Sequence, residues 1–335
     1  KSNLFLENMI ATANKPMDDR DVTFMFQAPV GDGGVWNLYY NLGEKYGVVP
    51  KEVMPETAHS NNTNAMGSLI NERLRKGGYT IREMAAQGKK IKELRAEKVS
   101  ILKDIYRILA LCLGEPPTTF TWRYKDRNGE IKELANYTPQ QFYKEITPAD
   151  YSPKNYIMIM NDPTREYYKL YDIQNYRNTV EGINWVYLNL PNEDIKEAAI
   201  ASIKGNEAMY TSSDVGKYFN RETGILDPEM YDYNSLMGVD FSMDKKTRIL
   251  TRQSGSAHAM SLVAVDVDAN GKPTKWEFEN SWGPQAGHNG YLTFTDKWFD
   301  EYIFRVVIHK KYLGEKALKA LDQKPILLPM WDYMF

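Results

Sequence analysis

The sequence predicts an α+β protein with helices concentrated in its first half and antiparallel strands in its second. Three observations carry that expectation. Ile91, Leu94, Ile101, Ile105, Ile108 and Cys112 recur at a helical period. Met260 to Val265 and Trp276 to Phe278 are apolar runs that read as strands, and Asp268-Ala-Asn270-Gly271 between them is a hairpin signal. The 335 residues are enough for one large domain with an insertion or for two domains.

The chain opens on Asn3-Leu-Phe-Leu-Glu-Asn-Met-Ile10, a helical pattern already under way at Lys1, which reads as a chain whose start lies upstream. Gly31-Asp-Gly-Gly34 is a loop before a helix from Trp36 to Tyr46, with Gly47 as its stop signal. These glycines match neither phosphate-binding pattern. Thr80-Ile-Arg-Glu83 has the form of a capping box and predicts a helix start ahead of the long helix ending near Cys112. The charge run Lys89 to Lys98 is expected to face solvent. Phe120, Trp122 and Tyr124 alternate up to Asn128-Gly129 and Glu130 to Leu134 returns, a second hairpin. Thr138-Pro139 opens a short helix, and Tyr156 to Met160 and Trp185 to Leu190 read as strands. Asn192, with Glu193 and Asp194 behind it, predicts a capped helix to Gly205. Glu207 to Ser212 and Phe304 to Ile308 read as strands, with a long loop through Gly224 to Asp227 between them. Prolines and apolar residues from Pro325 to Trp331 predict an extended arm lying on a surface.

The chemistry begins at His258, which starts one strand of the later hairpin, and Asn280, which ends the other. Taken singly, either is an ordinary packing or turn residue. An antiparallel pair can bring them together, and a carboxamide oxygen that accepts one ring N–H leaves the other nitrogen free for proton transfer.

Composition excludes several alternatives. Net charge is −2, so no electrostatic footprint favours nucleic acid. No apolar run approaches the roughly eighteen residues of a membrane span. Cys112 is the single cysteine, which rules out a disulfide framework and cysteine-based zinc sites within this sequence. It ends a helix ahead of Gly114 and Pro116-Pro117, where the dipole disfavours a thiolate, so Cys112 reads as a packing residue and not as a nucleophile. His59, His288 and His309 have no metal-ligand spacing, so neither metal nor cofactor is expected. No G-x-S-x-G elbow marks a serine hydrolase.

His258-Ala-Met, then Glu279-Asn-Ser-Trp-Gly283, then Gly290-Tyr-Leu292 resembles the papain-like cysteine peptidases, in their bleomycin hydrolase and aminopeptidase C branch. Gly31-Asp-Gly-Gly-x-Trp36 with Glu44-Lys-Tyr-Gly-Val-Val-Pro50, and Leu113-Gly-Glu-Pro-Pro-x-Thr-Phe-Thr-Trp122, extend the resemblance over most of the chain. It implies a papain-like fold, a helical half plus an antiparallel β-barrel half with a large, mainly helical insertion. The corresponding layout is the remainder of the helical half at 1–54, the insertion at 55–190, the barrel half at 191–312 and a C-terminal arm at 313–335.

The resemblance also implies roles. His258 is the general base and acid, Asn280 orients it, and Trp282 shields the pair from water. Gly33, Gly34, Ala257 and Trp282 contact an extended peptide substrate. In the family the nucleophilic cysteine and the oxyanion-hole glutamine precede the glycine edge, which places both before Lys1. The C-terminal arm enters the active-site cleft there, and its carboxylate restricts cleavage to free N-termini. This arm ends Trp331-Asp-Tyr-Met-Phe335, whereas the family arm continues Trp-Asp-Pro-Met-Gly. The resemblance further implies a homohexamer and a cytoplasmic location; with the nucleophile expected before Lys1, the protein's own N-terminal fragment is a further expected partner. A catalytically inactive papain-like scaffold for peptide binding or assembly is the alternative.

Overall fold

The computed structural model describes residues 1–31, 33–148 and 151–333. The chain forms two compact units, Lys1–Tyr151 with Tyr176–Ile183, and Ser152–Asn175 with Asn184–Phe335. The architecture is α+β, as the sequence predicts.

The first unit is helical. Ser2–Ala11 buries Leu4, Phe5, Leu6 and Met9 against the helices Asn64–Ala86 and Ile91–Leu113. Thr80 does not start a helix. It lies inside Asn64–Ala86, and its hydroxyl donates to the Lys76 carbonyl at 3.0 Å. The Ser/Thr-x-x-Glu pattern also fits a helix interior, so the local signal is ambiguous. The charge run is not wholly solvated either, since Lys98 reaches Glu7 at 2.5 Å with its side chain 13% exposed. Cys112 occupies the last turn of Ile91–Leu113, half-buried, and its carbonyl accepts the Thr57 hydroxyl at 2.9 Å. Residues 176–183 return to this unit through amide contacts. Asn41 Nδ2 donates to the Ile183 carbonyl at 3.1 Å, the Ile183 N–H donates back to Asn41 Oδ1 at 2.9 Å, and Asn178 Nδ2 donates to the Leu38 carbonyl at 2.9 Å. Phe120–Lys125 and Ile131–Tyr137 form the expected antiparallel hairpin.

The second unit is built on an eleven-stranded sheet. Its order is Ile326–Leu328, Lys169–Ile173, Trp185–Asn189, Tyr156–Met160, Ile303–His309, Met209–Ser213, His258–Val267, Pro273–Glu279, Tyr291–Thr295, Ile225–Leu226 and Phe219–Asn220. Most pairings are antiparallel. Three are parallel: Ile326–Leu328 with Lys169–Ile173, Tyr156–Met160 with Trp185–Asn189, and Tyr291–Thr295 with Ile225–Leu226. The members of each parallel pair are separated by long connections, which leaves their direction to tertiary packing.

The helix Asn192–Lys204 begins after Pro191, and Asn192 is its first residue and not its cap. The Asn192 side chain instead donates to the Asp300 carbonyl at 3.1 Å. Trp276, Phe278, Phe294, Trp298 and Phe299 are buried together, with Phe278 stacked on Phe294 at 4.2 Å between centroids. Burial of each such side chain stabilises by about 1.5–3 kcal/mol. Trp276 and Phe278 belong to the strand that ends beside Asn280, so this core fixes the backbone under the candidate site.

The C-terminal arm lies on the sheet edge. The Gln174 N–H donates to the Leu328 carbonyl at 3.0 Å, and buried Asp332 pairs with Arg165, which also pairs with fully buried Asp162. The last two residues of the arm fall outside the described ones.

Candidate active site

His258 and Asn280 come together through local turn chemistry. Between His258–Val267 and Pro273–Glu279, Asp268 Oδ1 accepts the Asn270 and Lys272 N–H groups, each at 2.9 Å, and the Gly271 N–H donates to the Asp268 carbonyl at 2.9 Å. From that turn the pairing runs, through irregularities at Pro273/Lys275 and Glu277/Phe278, to Phe278 opposite Leu262 and Glu279 opposite Ser261. On its other side His258–Val267 pairs with Met209–Ser213, opposing His258 to Ser213. The Ala257 N–H donates to the Ser213 carbonyl at 2.9 Å, which holds the backbone entering His258. The Asn280 N–H donates to the Gly290 carbonyl at 2.9 Å, which holds the backbone leaving the second strand.

With both main chains fixed, His258 Nε2 lies 2.9 Å from Asn280 Oδ1. The same oxygen accepts the Ser281 N–H at 2.8 Å. A main-chain N–H can only donate, so the atom it meets is the carboxamide oxygen. Nε2 therefore carries the proton of the neutral ring and donates it to Asn280. Nδ1 is left with its lone pair, able to accept and return a proton. Asn280 Nδ2 is buried with no hydrogen-bond partner among the described residues, where the carboxamide is held through its oxygen.

Trp282 stacks on the imidazole, with centroids 5.0 Å apart and planes at 27°. The indole is 41% exposed, so it presents apolar surface to solvent while covering the ring. Phe219 lies 6.1 Å from Trp282, and the Arg221 guanidinium sits 5.4 Å from Phe219 and 5.8 Å from Trp282. An open groove of about 490 Å³ runs past Asn280, lined by Tyr210, Ala259, Ser261, Glu279 and Ser281 among others.

The glycines named from the sequence belong to the helical unit. Gly33 and Gly34 lie outside helices and strands, and a Cβ on either would meet nothing within 4 Å. The Gly33 carbonyl accepts the Lys1 ammonium at 2.6 Å. Asp32 lies outside the described residues. Among the described residues no group of three or more His, Cys, Asp or Glu could hold a metal ion. No helix among them is long and apolar enough to cross a membrane. Sequence reasoning missed the Ser281 N–H and Arg221, because one is a backbone group and the other approaches Trp282 only in the tertiary structure.

Comparison with known proteins bears on this geometry. A family model described as "Peptidase C1-like family" matches residues 1–335. Aminopeptidase C of Lactobacillus delbrueckii subsp. lactis is 41% identical over 339 residues, which cover 100% of this chain and 75% of that protein. Bleomycin hydrolase of Homo sapiens is 38% identical over 337 residues, 98% of this chain and 74% of that protein. The crystal structure of PepW from Lactobacillus rhamnosis HN001 superposes with a TM-score of 0.95 at 40% identity, covering 99% of this chain and 75% of that one.

Proposed function

Because this chain belongs to the Peptidase C1-like family, we propose that it carries the histidine and asparagine of a cysteine peptidase acting as an aminopeptidase on peptides. The observation that carries the reading is the Asn280 oxygen held between the Ser281 N–H and His258 Nε2, which leaves Nδ1 as the proton-transfer atom. Cys112 sits in the last turn of a helix, where the dipole disfavours a thiolate, so the thiol of the proposed reaction comes from another part of the whole protein. The chain spans about three quarters of the length of each of these relatives.

In the proposed reaction Nδ1 of His258 takes the thiol proton, giving a thiolate and an imidazolium. The thiolate sulfur bonds to the scissile carbonyl carbon. As the C–N bond breaks, Nδ1 returns its proton to the departing amine. Water then adds to the thioester carbon, gives a proton to Nδ1, and the thiol leaves with a proton from the ring. Asn280 stabilises the imidazolium and keeps Nδ1 pointed the same way in both steps. Trp282 keeps water from competing for the Nε2–H. Ala257 offers backbone at the entry to His258. On the helical unit, the backbone at Gly33 and Gly34 is the proposed edge for an extended peptide, which the open space beside each supports.

Restriction to free N-termini is assigned to the C-terminal arm, whose ordered course along the sheet edge supports a fixed position. Self-association, with a hexamer implied by resemblance, belongs to the same proposal. Leu236 at 71%, Met237 at 61% and Phe241 at 53% exposure form an apolar run of the kind that oligomer contacts cover.

The test is hydrolysis of aminoacyl fluorogenic substrates by the full-length protein, with and without a thiol-directed inhibitor. Inhibitor-sensitive release of the free amino acid is expected. No hydrolysis would leave a peptide-binding scaffold, and inhibitor-insensitive hydrolysis would remove the thiol from the mechanism.

A further inference from the structure

Arg221 has an unusual combination of properties for a surface arginine. It is exposed, and its guanidinium rests against Phe219 and Trp282 at 5.4 and 5.8 Å. Among the described residues no carboxylate pairs with it.

The turn that carries it is fixed. Asn220 Oδ1 accepts the Glu222 N–H at 3.0 Å and the Thr223 N–H at 3.1 Å, and the Gly224 N–H donates to the Asn220 carbonyl at 2.9 Å. Gly224 has φ +68°, and a Cβ there would stand 2.6 Å from Gly287 Cα, so the turn is clamped against a neighbouring loop. The Thr293 N–H donates to the Gly224 carbonyl at 2.9 Å, tying the turn to the strand Tyr291–Thr295. Arg221 is therefore mounted on a stiff support with its charge unneutralised.

A guanidinium held against aromatic rings by a cation–π contact, with no carboxylate partner, keeps its edge N–H groups available. Those edge groups form the fork that matches a carboxylate. The position of the guanidinium relative to the chemistry follows from Trp282, which lies 5.8 Å from the Arg221 guanidinium and 5.0 Å from the His258 ring. The proton given up by His258 goes to the departing amine, so the segment leaving the scissile bond is the part of a substrate nearest Trp282.

From this juxtaposition we propose that Arg221 and Trp282 form a carboxylate-binding subsite for the leaving segment. It selects peptides that carry an anion just beyond the scissile bond. The inference rests on the peptidase reading above and adds a substrate class to it. The anion has two sources, an acidic side chain early in the leaving segment or the terminal carboxylate of a short peptide.

The experiment measures kcat/KM of the full-length protein on two matched pairs, Ala-Gly-Gly against its C-terminal amide, and Ala-Asp-Gly-amide against Ala-Asn-Gly-amide. The subsite predicts that the anionic member of at least one pair is preferred by about threefold to tenfold, the range of a partly solvated charge-assisted contact. The pair that shows the preference identifies the source. Arg221→Gln is expected to bring the ratio to about one, and Arg221→Lys to retain part of it. Equal rates within both pairs, or a preference that survives in Arg221→Gln, overturns the subsite while leaving the peptidase standing. Absence of any cleavage removes the peptidase reading and this inference together.

Discussion

The main-chain N–H of Ser281 donates to Oδ1 of Asn280 at 2.8 Å, and that contact decides which nitrogen of His258 keeps its lone pair. It identifies the oxygen end of the carboxamide, the oxygen takes the Nε2 proton at 2.9 Å, and Nδ1 becomes the basic atom. A backbone group thus determines the tautomer of a side chain through one intervening residue.

Asn280→Ala in the full-length protein is expected to lower kcat on the order of 10²-fold with a smaller change in KM, since it removes ring orientation and leaves the peptide-binding surface. Trp282→Ala is expected to cost about tenfold by admitting water to the Nε2–H, and Trp282→Phe less. Steady-state kinetics on an aminoacyl substrate measure each. Wild-type kcat in Asn280→Ala would show that the carboxamide does not orient the ring.

Lys245 gives a pH signature. Its ammonium is buried and donates to the Asp300 carbonyl at 2.8 Å and the Ile303 carbonyl at 2.7 Å. Burial pulls its pKa from 10.5 down to about 7, against the opposing pull of Glu301 and Asp300. Between these values the unfolded chain holds a proton that the folded chain has released, so this group makes stability rise with pH across that window. Its full cost falls below about pH 7. Relative to Lys245→Met, wild-type unfolding free energy should climb from pH 7 toward pH 10 by up to about 1.4 kcal/mol per pH unit. Denaturant titrations at several pH values measure the slope, and parallel curves for the two proteins would contradict it.

Gly47 closes the helix Trp36–Tyr46 with φ +72°, and a Cβ there would stand 2.2 Å from the Pro139 carbonyl oxygen. Gly47→Ala combines a left-handed backbone with a clash against main chain, and it should destabilise by about 2 kcal/mol or more. A thermal melt reads the change, and an unaltered midpoint would mean that the backbone relaxes freely.

Arg165 holds the arm. Its removal would deprive Asp162 and Asp332, whose side chains are 0% and 3% exposed, of the ion pairs that Arg165 makes. Arg165→Met should cost on the order of 3–5 kcal/mol. The arm beyond Leu328 should then become sensitive to limited proteolysis, with Arg165→Lys intermediate. An arm equally protected in Arg165→Met would show that strand pairing alone retains it.

Much of the site is legible before any coordinates. The hairpin joining His258–Val267 to Pro273–Glu279 follows from alternating apolar residues and Asp268-Ala-Asn-Gly chemistry, all short-range, so His258 and Asn280 can be paired from the sequence. The helices Trp36–Tyr46 and Ile91–Leu113 are legible for the same reason, since periodicity and a terminal glycine act within a few residues. Signals shared by two environments mislead. Thr80-Ile-Arg-Glu83 fits a helix start and a helix interior equally, and Asn192 has a capping residue's chemistry but stands one position inside the helix, after Pro191.

The sequence by itself determined the α+β class, the pairing of the His258 imidazole with the Asn280 carboxamide, and the place of Cys112 at the end of a helix. Each depends on residue type and spacing along a few turns or one hairpin. Only the tertiary structure decided that Ile326–Leu328 runs parallel to Lys169–Ile173, that Asp332 is pinned by Arg165, and that Arg221 lies against Trp282. These contacts join residues far apart in the chain, and their energy comes from burial and charge pairing that exist only once the backbone has closed around them.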